Sequence, residues 1–150
     1  MSGAGSLVPA RHSQLLLDTH VLLWLIDGNP LLGKLAVKAI DSTSREDRLL
    51  MSAITAWEIG ILARKKRITL HRDTLEWVYA ALALPGIRLA PLAVEIAVGS
   101  NELPFEMHAD PADRILVATA RHLGATLVTA DQALLDLSKK GHFAAIDASR

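Results

Sequence analysis

The chain contains no cysteine, which excludes disulfides and thiolate metal sites and suits a reducing cytoplasm. It carries no excess charge of either sign, since 16 basic residues stand against 16 acidic ones. No global field marks it as a nucleic-acid binder, so any contact with phosphates must rest on local patches. Its longest apolar run, within QLLLDTHVLLWLID (residues 14–27), is broken at Asp18 and is too short for a bilayer, which needs about 20 apolar residues. The N-terminal MSGAGSLVPARHS holds no apolar export segment. We read residues 1–13 as a disordered segment or a remnant of recombinant expression, and 14–150 as the folded domain. With 51% hydrophobic and 21% charged residues among 150, that domain has material for a real core. The chain reads as soluble and cytoplasmic.

Short apolar runs alternate with helical patterns, and Asn-Gly hairpin signals are missing, which favours a parallel α/β sheet. QLLLD reads as a buried strand and THVLLWLIDG as the helix after it. Pro30 is expected to open a second helix, PLLGKLAVKAIDST, with Leu31, Leu35, Ala39 and Ile40 on its apolar face. RLLMS is strand-like, and AITAWEIGILARKKR is a helix. A helix over 73–84, a strand in IRLAPL and a helix over 93–100 follow. ADPADRILVATARHLG is a helix stopped by Gly124, ATLVTAD a strand, QALLDLSKKG a helix and FAAID a weak last strand. In open parallel sheets, ligands sit beyond the carboxyl ends of the strands.

Acids collect where such ends are expected. Asp18 follows LLL, Asp131 follows TLVTA, and Asp110 and Asp113 open a helix in HADPADR. Each aspartate region also has a structural explanation, because Asp is a favoured N-cap and suits a first helical turn. Glu58 is different. Its helical neighbours at three and four residues are Ile54, Thr55, Ile61 and Leu62, so a carboxylate lies on or beside an apolar stripe with no amide to cap. Such an acid needs a cation or a metal, and a buried arginine partner is the alternative. Converging carboxylates repel unless counter-ions are present. Hard divalent cations such as Mg²⁺ answer that need and support phosphodiester hydrolysis by activating water and stabilising the leaving oxygen.

The ordered set LLLDTHVLLW, SAITAWEIGIL, HADPADRILVATA and LVTAD resembles the PIN-domain ribonucleases. Among them it is most similar to the toxin subunits of virulence-associated BC (VapC-type) toxin–antitoxin systems, from about Leu15 to Ile146. The resemblance implies a three-layer α/β/α sandwich with a central parallel sheet of about four or five strands. It also implies an acidic pocket for Mg²⁺ or Mn²⁺. The family's four acids fall on Asp18, Glu58, Asp113 and Asp131. Asp18 and Asp113 would be the main metal ligands, with Glu58 and Asp131 completing the pocket; which carboxylate acts as base is open. Asp110 is an accessory acid or only a cap, and Thr129 a candidate for holding water or a carboxylate. The implied activity is Mg²⁺- or Mn²⁺-dependent endoribonuclease action by a toxin, with RNA as substrate, a cognate antitoxin and a homodimeric state.

Other signals carry less. Arg64, Lys65, Lys66 and Arg67 are either a solvated helix end or a contact to RNA phosphates. Arg114 and Arg121, two turns apart, offer charge to RNA, an antitoxin or an acid. His20 is assigned to packing or a turn, because HExxH is absent. Trp24, Trp57 and Trp77 are read as core or dimer contacts. The GNPLLGK segment lacks the Ser or Thr after its lysine that a phosphate-binding loop requires. Rival readings are a catalytically silent PIN-like interaction module, a non-toxin RNA-processing nuclease and a receiver-type domain. A receiver needs an acid after the mid-chain strand, and RLLMS supplies none.

Overall fold

The computed structural model describes residues 13–150. The N-terminal segment set aside above therefore lies, apart from Ser13, outside the described residues. The strands are β1 (Leu15–Leu17), β2 (Leu49–Ser52), β3 (Ile87–Ala90), β4 (Thr126–Thr129) and β5 (Ala145–Asp147). They form one sheet in the order β3-β2-β1-β4-β5, and every pairing is parallel. Burial follows position in the sheet. Every residue of β1, β2 and β4 is buried, whereas edge strand β3 exposes Arg88 and Leu89. A strand covered on both faces reads as a continuous apolar run, which is why LLL and LLMS do not alternate with polar residues.

The helices are α1 (Thr19–Asp27), α2 (Lys34–Ser44), α3 (Ala53–Arg64), α4 (Thr74–Leu82), α5 (Val94–Gly99), α6 (Pro111–Leu123) and α7 (Gln132–Lys139). The period-2 pleat divides the strand side chains between two cores. Leu15, Leu17, Leu49, Met51 and Val128 pack with residues of α1, α2 and α4. Leu16, Leu50 and Leu127 pack on the other side with α6 and α7. The result is the expected three-layer α/β/α sandwich with five strands. No helix among the described residues is long and apolar enough to cross a membrane.

Most element boundaries fall within a few residues of those expected from sequence. The exception is α2, which starts at Lys34 and not at Pro30. The Asn29 side chain accepts the Leu31 N–H at 2.9 Å, closing a local turn that competes with helix formation. Gly33 then serves as N-cap residue without a side-chain cap. The chain's last residues supply the missing acceptor: Arg150 O accepts the Ala36 N–H at 2.9 Å. A Cβ at Gly33 would lie 2.2 Å from the Arg150 carbonyl carbon, so this approach requires glycine. The apolar face shifts accordingly, with Ala36 and Ile40 buried and Leu31 and Leu35 exposed.

The strand order places the topological switch between β1 and β4. From β1 the sheet grows first to one side through β2 and β3, then to the other through β4 and β5. Adjacent connections diverge there and leave a crevice at the carboxyl ends. Asp18 follows β1 and Asp131 lies two residues beyond β4, so both stand at that crevice.

Candidate active site

Five carboxylates, those of Asp18, Glu58, Asp110, Asp113 and Asp131, line one hollow of ≈ 320 Å³ together with His20, Val21, Trp24 and Ala130. The three helix-start aspartates that line the hollow are also caps. Asp18 caps α1, its Oδ1 accepting the Thr19 N–H at 2.7 Å. Asp110 caps α6 by accepting the Asp113 N–H at 3.1 Å. Asp131 caps α7 by accepting the Ala133 and Leu134 amides at 2.9 and 3.3 Å. Capping fixes each carboxylate at a helix start, and the sheet brings those starts to one place.

Asp18 is the most enclosed of the five, 9% exposed. Its Oδ2 accepts the Thr129 hydroxyl at 2.7 Å, and the same Thr129 oxygen accepts the Asp131 N–H at 3.0 Å. Thr129 thus links the ends of β1 and β4 and holds a carboxylate, one of the two roles considered for it. Burial pushes the Asp18 carboxyl above its ordinary range, while the Thr129 and Thr19 hydrogen bonds and the nearby His20 pull it back.

Glu58 is half-buried on α3. Its Oε1 accepts the hydroxyl proton of Thr19, and Thr19 Oγ1 also lies 3.3 Å from Thr55 Oγ1. Glu58 rises above its usual value through burial, against the Thr19 hydrogen bond, with Asp18 and Asp110 adding repulsion. Among the described residues, no arginine is among the main groups acting on it, so the alternative of a buried arginine pair gains no support there. Asp113 is pushed up to about 7, first by burial and then by repulsion from Asp18, Asp110, Asp131 and Glu58. Such repulsion is what carboxylates gathered in one hollow without a counter-ion produce.

Several functional neighbours escape a sequence reading. Thr19, fully buried, connects the end of β1 to the middle of α3; the hydroxyl directly after Asp18 is its only signal in the sequence. His20 is exposed on the rim of the hollow and not packed in the core. Trp24 joins it there while packing on the core. Trp77 is buried, and Trp57 is 53% exposed. His108, in the quoted HADPADR but not singled out, places Nε2 3.2 Å from Asp113 Oδ2. One ligand atom each from His108, Asp113 and Asp131 lie within 4.8 Å of one another.

The basic residues stand apart from this centre. Arg64, Lys65, Lys66 and Arg67 are exposed at the far end of α3 and do not line the hollow. Arg64 lies six helical steps beyond Glu58, about 9 Å along the axis. Arg114 is engaged within the protein, where Nε donates to Ser100 O at 2.9 Å and Nη1 to Met107 O and His108 O at 3.2 and 3.4 Å. Arg121 donates to His142 O and lies 5.2 Å over the Phe105 ring.

A five-stranded parallel sheet with acids gathered at its switch point is the arrangement of a PIN domain, and the sequence matches that family over residues 15–140. The chain belongs to the PIN-domain family. It is 33% identical over 119 residues to ribonuclease VapC22 of Mycobacterium tuberculosis, covering 79% of this chain and 88% of that protein. Its fold resembles VapBC2 of Rickettsia felis bound to a promoter DNA fragment, with TM-score 0.64, 13% identity, and 89% and 97% of the two chains covered. It likewise resembles FitAcB of Neisseria gonorrhoeae, with TM-score 0.61, 23% identity and coverage of 90% and 98%.

Proposed function

We propose that this protein is a divalent-metal-dependent endoribonuclease and the toxin half of a toxin–antitoxin pair. The observation that carries the reading is the convergence of five carboxylates on one hollow that no Lys or Arg lines among the described residues. Burial first, and then repulsion from the other four acids, lifts Asp113 to about 7. Oxygen donors with unbalanced negative charge fit a hard divalent cation, Mg²⁺ or Mn²⁺. Ribonuclease VapC22, at 33% identity, supports RNA as the substrate.

Asp18 and Asp113 would hold the ion, with Asp131 and Glu58 completing its surroundings. When bound, the ion supplies activation of water and neutralises charge building on the phosphate. The chain's own residues do the positioning. Thr129 and the Thr19 amide fix both oxygens of Asp18. Asp131 Oδ1 accepts two α7 amides and Glu58 Oε1 accepts the Thr19 hydroxyl, so each acid is held by one oxygen and keeps the other to orient the attacking water. Water forms the new bond to phosphorus, the bond to the 3′-oxygen breaks, and the leaving oxygen takes up a proton. The products are a 5′-phosphate and a 3′-hydroxyl.

End-group analysis of the fragments tests this chemistry. Ends that can be ligated directly through a 5′-phosphate support it. Cyclic 2′,3′-phosphate ends would show attack by the RNA's own 2′-hydroxyl and overturn it.

An antitoxin partner is supported by the structural likeness to VapBC complexes. The homodimer follows from the family resemblance, and exposed Leu89, Leu92, Val94 and Val98 offer apolar surface for such contacts. Co-purification with the product of a small neighbouring reading frame checks the first. Sedimentation of the purified chain checks the second.

A further inference from the structure

We propose that His108 is the positioning residue of Asp113: its Nε2 lies 3.2 Å from Oδ2, and we assign to that contact the hydrogen bond that fixes one oxygen of the carboxylate beside the hollow. The proposal rests on the metal-dependent reading above and assigns a residue that the acid pattern does not contain.

The ring's other nitrogen identifies the role. The Asp110 backbone N–H points at His108 Nδ1 from 3.3 Å. A nitrogen that accepts a hydrogen bond carries no proton of its own, so in the neutral ring the proton sits on Nε2, which is then a donor. Direct ligation of an ion by Nε2 would move that proton to Nδ1, against the Asp110 amide. The three donor atoms of His108, Asp113 and Asp131 are close, but the tautomer makes the imidazole a partner of the carboxylate and not a ligand. Carboxylates that hold metals are themselves commonly held by such hydrogen bonds.

The loop delivering His108 is anchored without it. Arg114 binds the carbonyls of Ser100, Met107 and His108. Phe105 stacks on His142 with ring centroids 4.1 Å apart, and Leu103, Phe105 and Met107 pack against the core. The His108 side chain is 39% exposed, against 15% for Asp113. It adds little to the fold and reaches Asp113 from the solvent side. An imidazole in that place orients a neighbour.

Calorimetric titration of the whole protein with Mn²⁺, and separately with Mg²⁺, tests the assignment in wild type, His108→Ala and His108→Gln. Alanine is expected to weaken both ions by about 10-fold or more, with their ratio unchanged. Glutamine keeps an N–H donor at the reach of Nε2 and is expected to recover wild-type affinity to within about threefold. Affinity in the alanine variant within about twofold of wild type would overturn the proposal. So would a loss confined to Mn²⁺ that glutamine does not repair, because that pattern marks a direct nitrogen ligand. Nitrogen NMR of the metal-free protein decides the matter separately. A ring protonated at Nε2, whose shift moves in Asp113→Asn, supports the hydrogen bond, and an Nδ1–H ring overturns it. Wild type that binds neither ion would remove the metal-dependent reading, and the NMR arm would still decide the contact.

Discussion

Individual side chains here both cap a helix and face the hollow, and that duplication explains what the sequence could and could not reveal. Asp18, Asp110 and Asp131 each look like a helix cap, and each is one. Nothing in their local sequence separates a cap from a cap that faces a site, because the difference lies in where the strand ends meet. Glu58 was readable alone, since no amide in a helix interior needs it. Thr129→Val removes the hydroxyl from Asp18 Oδ2 at nearly constant volume. The expected cost is about 1–3 kcal/mol in urea unfolding at neutral pH, the penalty for leaving a buried acceptor unsatisfied. Asp113 makes the metal-free protein sensitive to pH. Its carboxyl is raised from 3.8 to about 7, so between those values the native state holds a proton that the unfolded chain has released. Stability is therefore present at low pH in this window and lost as pH rises through about 7. Asp18 and Glu58 act in the same direction. Asp147, lowered by Ser149, acts only below its ordinary value. In EDTA the protein is expected to melt at a higher temperature at pH 5 than at pH 8; a higher melting temperature at pH 8 would contradict the shift.

Among the elements, strands and helices were readable because their signals are local: LLL and LLMS as buried runs, Gly28 and Gly124 as left-handed stops with φ 62° and 63°. The start of α2 was not, because its acceptor comes from Arg150, more than a hundred residues away along the chain. Gly86 likewise answers to a distant partner. It has φ +84°, and a Cβ there would lie 2.1 Å from Ser44 O. Gly86→Ala is expected to destabilise by about 1–3 kcal/mol from backbone strain alone, measured by thermal or chemical unfolding. The 101–110 segment shows how a loop becomes a site element. It looks like a simple connection in sequence, yet Arg114 fastens two of its carbonyls, those of Met107 and His108, and that of Ser100 just before it. Arg114→Ala is expected to cost about 1.5–3 kcal/mol, the range for hydrogen bonds from a charged donor. It should also expose residues 101–110 to limited proteolysis; a digestion pattern like that of wild type would contradict this anchoring role.

For the molecule as a whole, the sheet order is the central fact. A parallel sheet that reverses its growth between β1 and β4 creates one crevice, and four of its connections deliver acids to it. Overall charge is balanced at zero, so the negative hollow is local and the composition could not announce it. Repelling carboxylates in one hollow leave the metal-free fold under electrostatic strain, which a bound divalent ion would relieve. Mn²⁺ at 100 times its dissociation constant is expected to add about 2.7 kcal/mol of stability, read as a rise in melting temperature that EDTA reverses. The most direct test of the account is cleavage of a total-RNA pool by the purified protein, with fragment ends read by sequencing. The reaction is run with Mn²⁺, with EDTA, and with Asp18→Asn. The account predicts discrete new ends with Mn²⁺ that disappear both on chelation and in the variant. Cleavage by the wild type that persists in EDTA, or by Asp18→Asn at the wild-type rate, would contradict it.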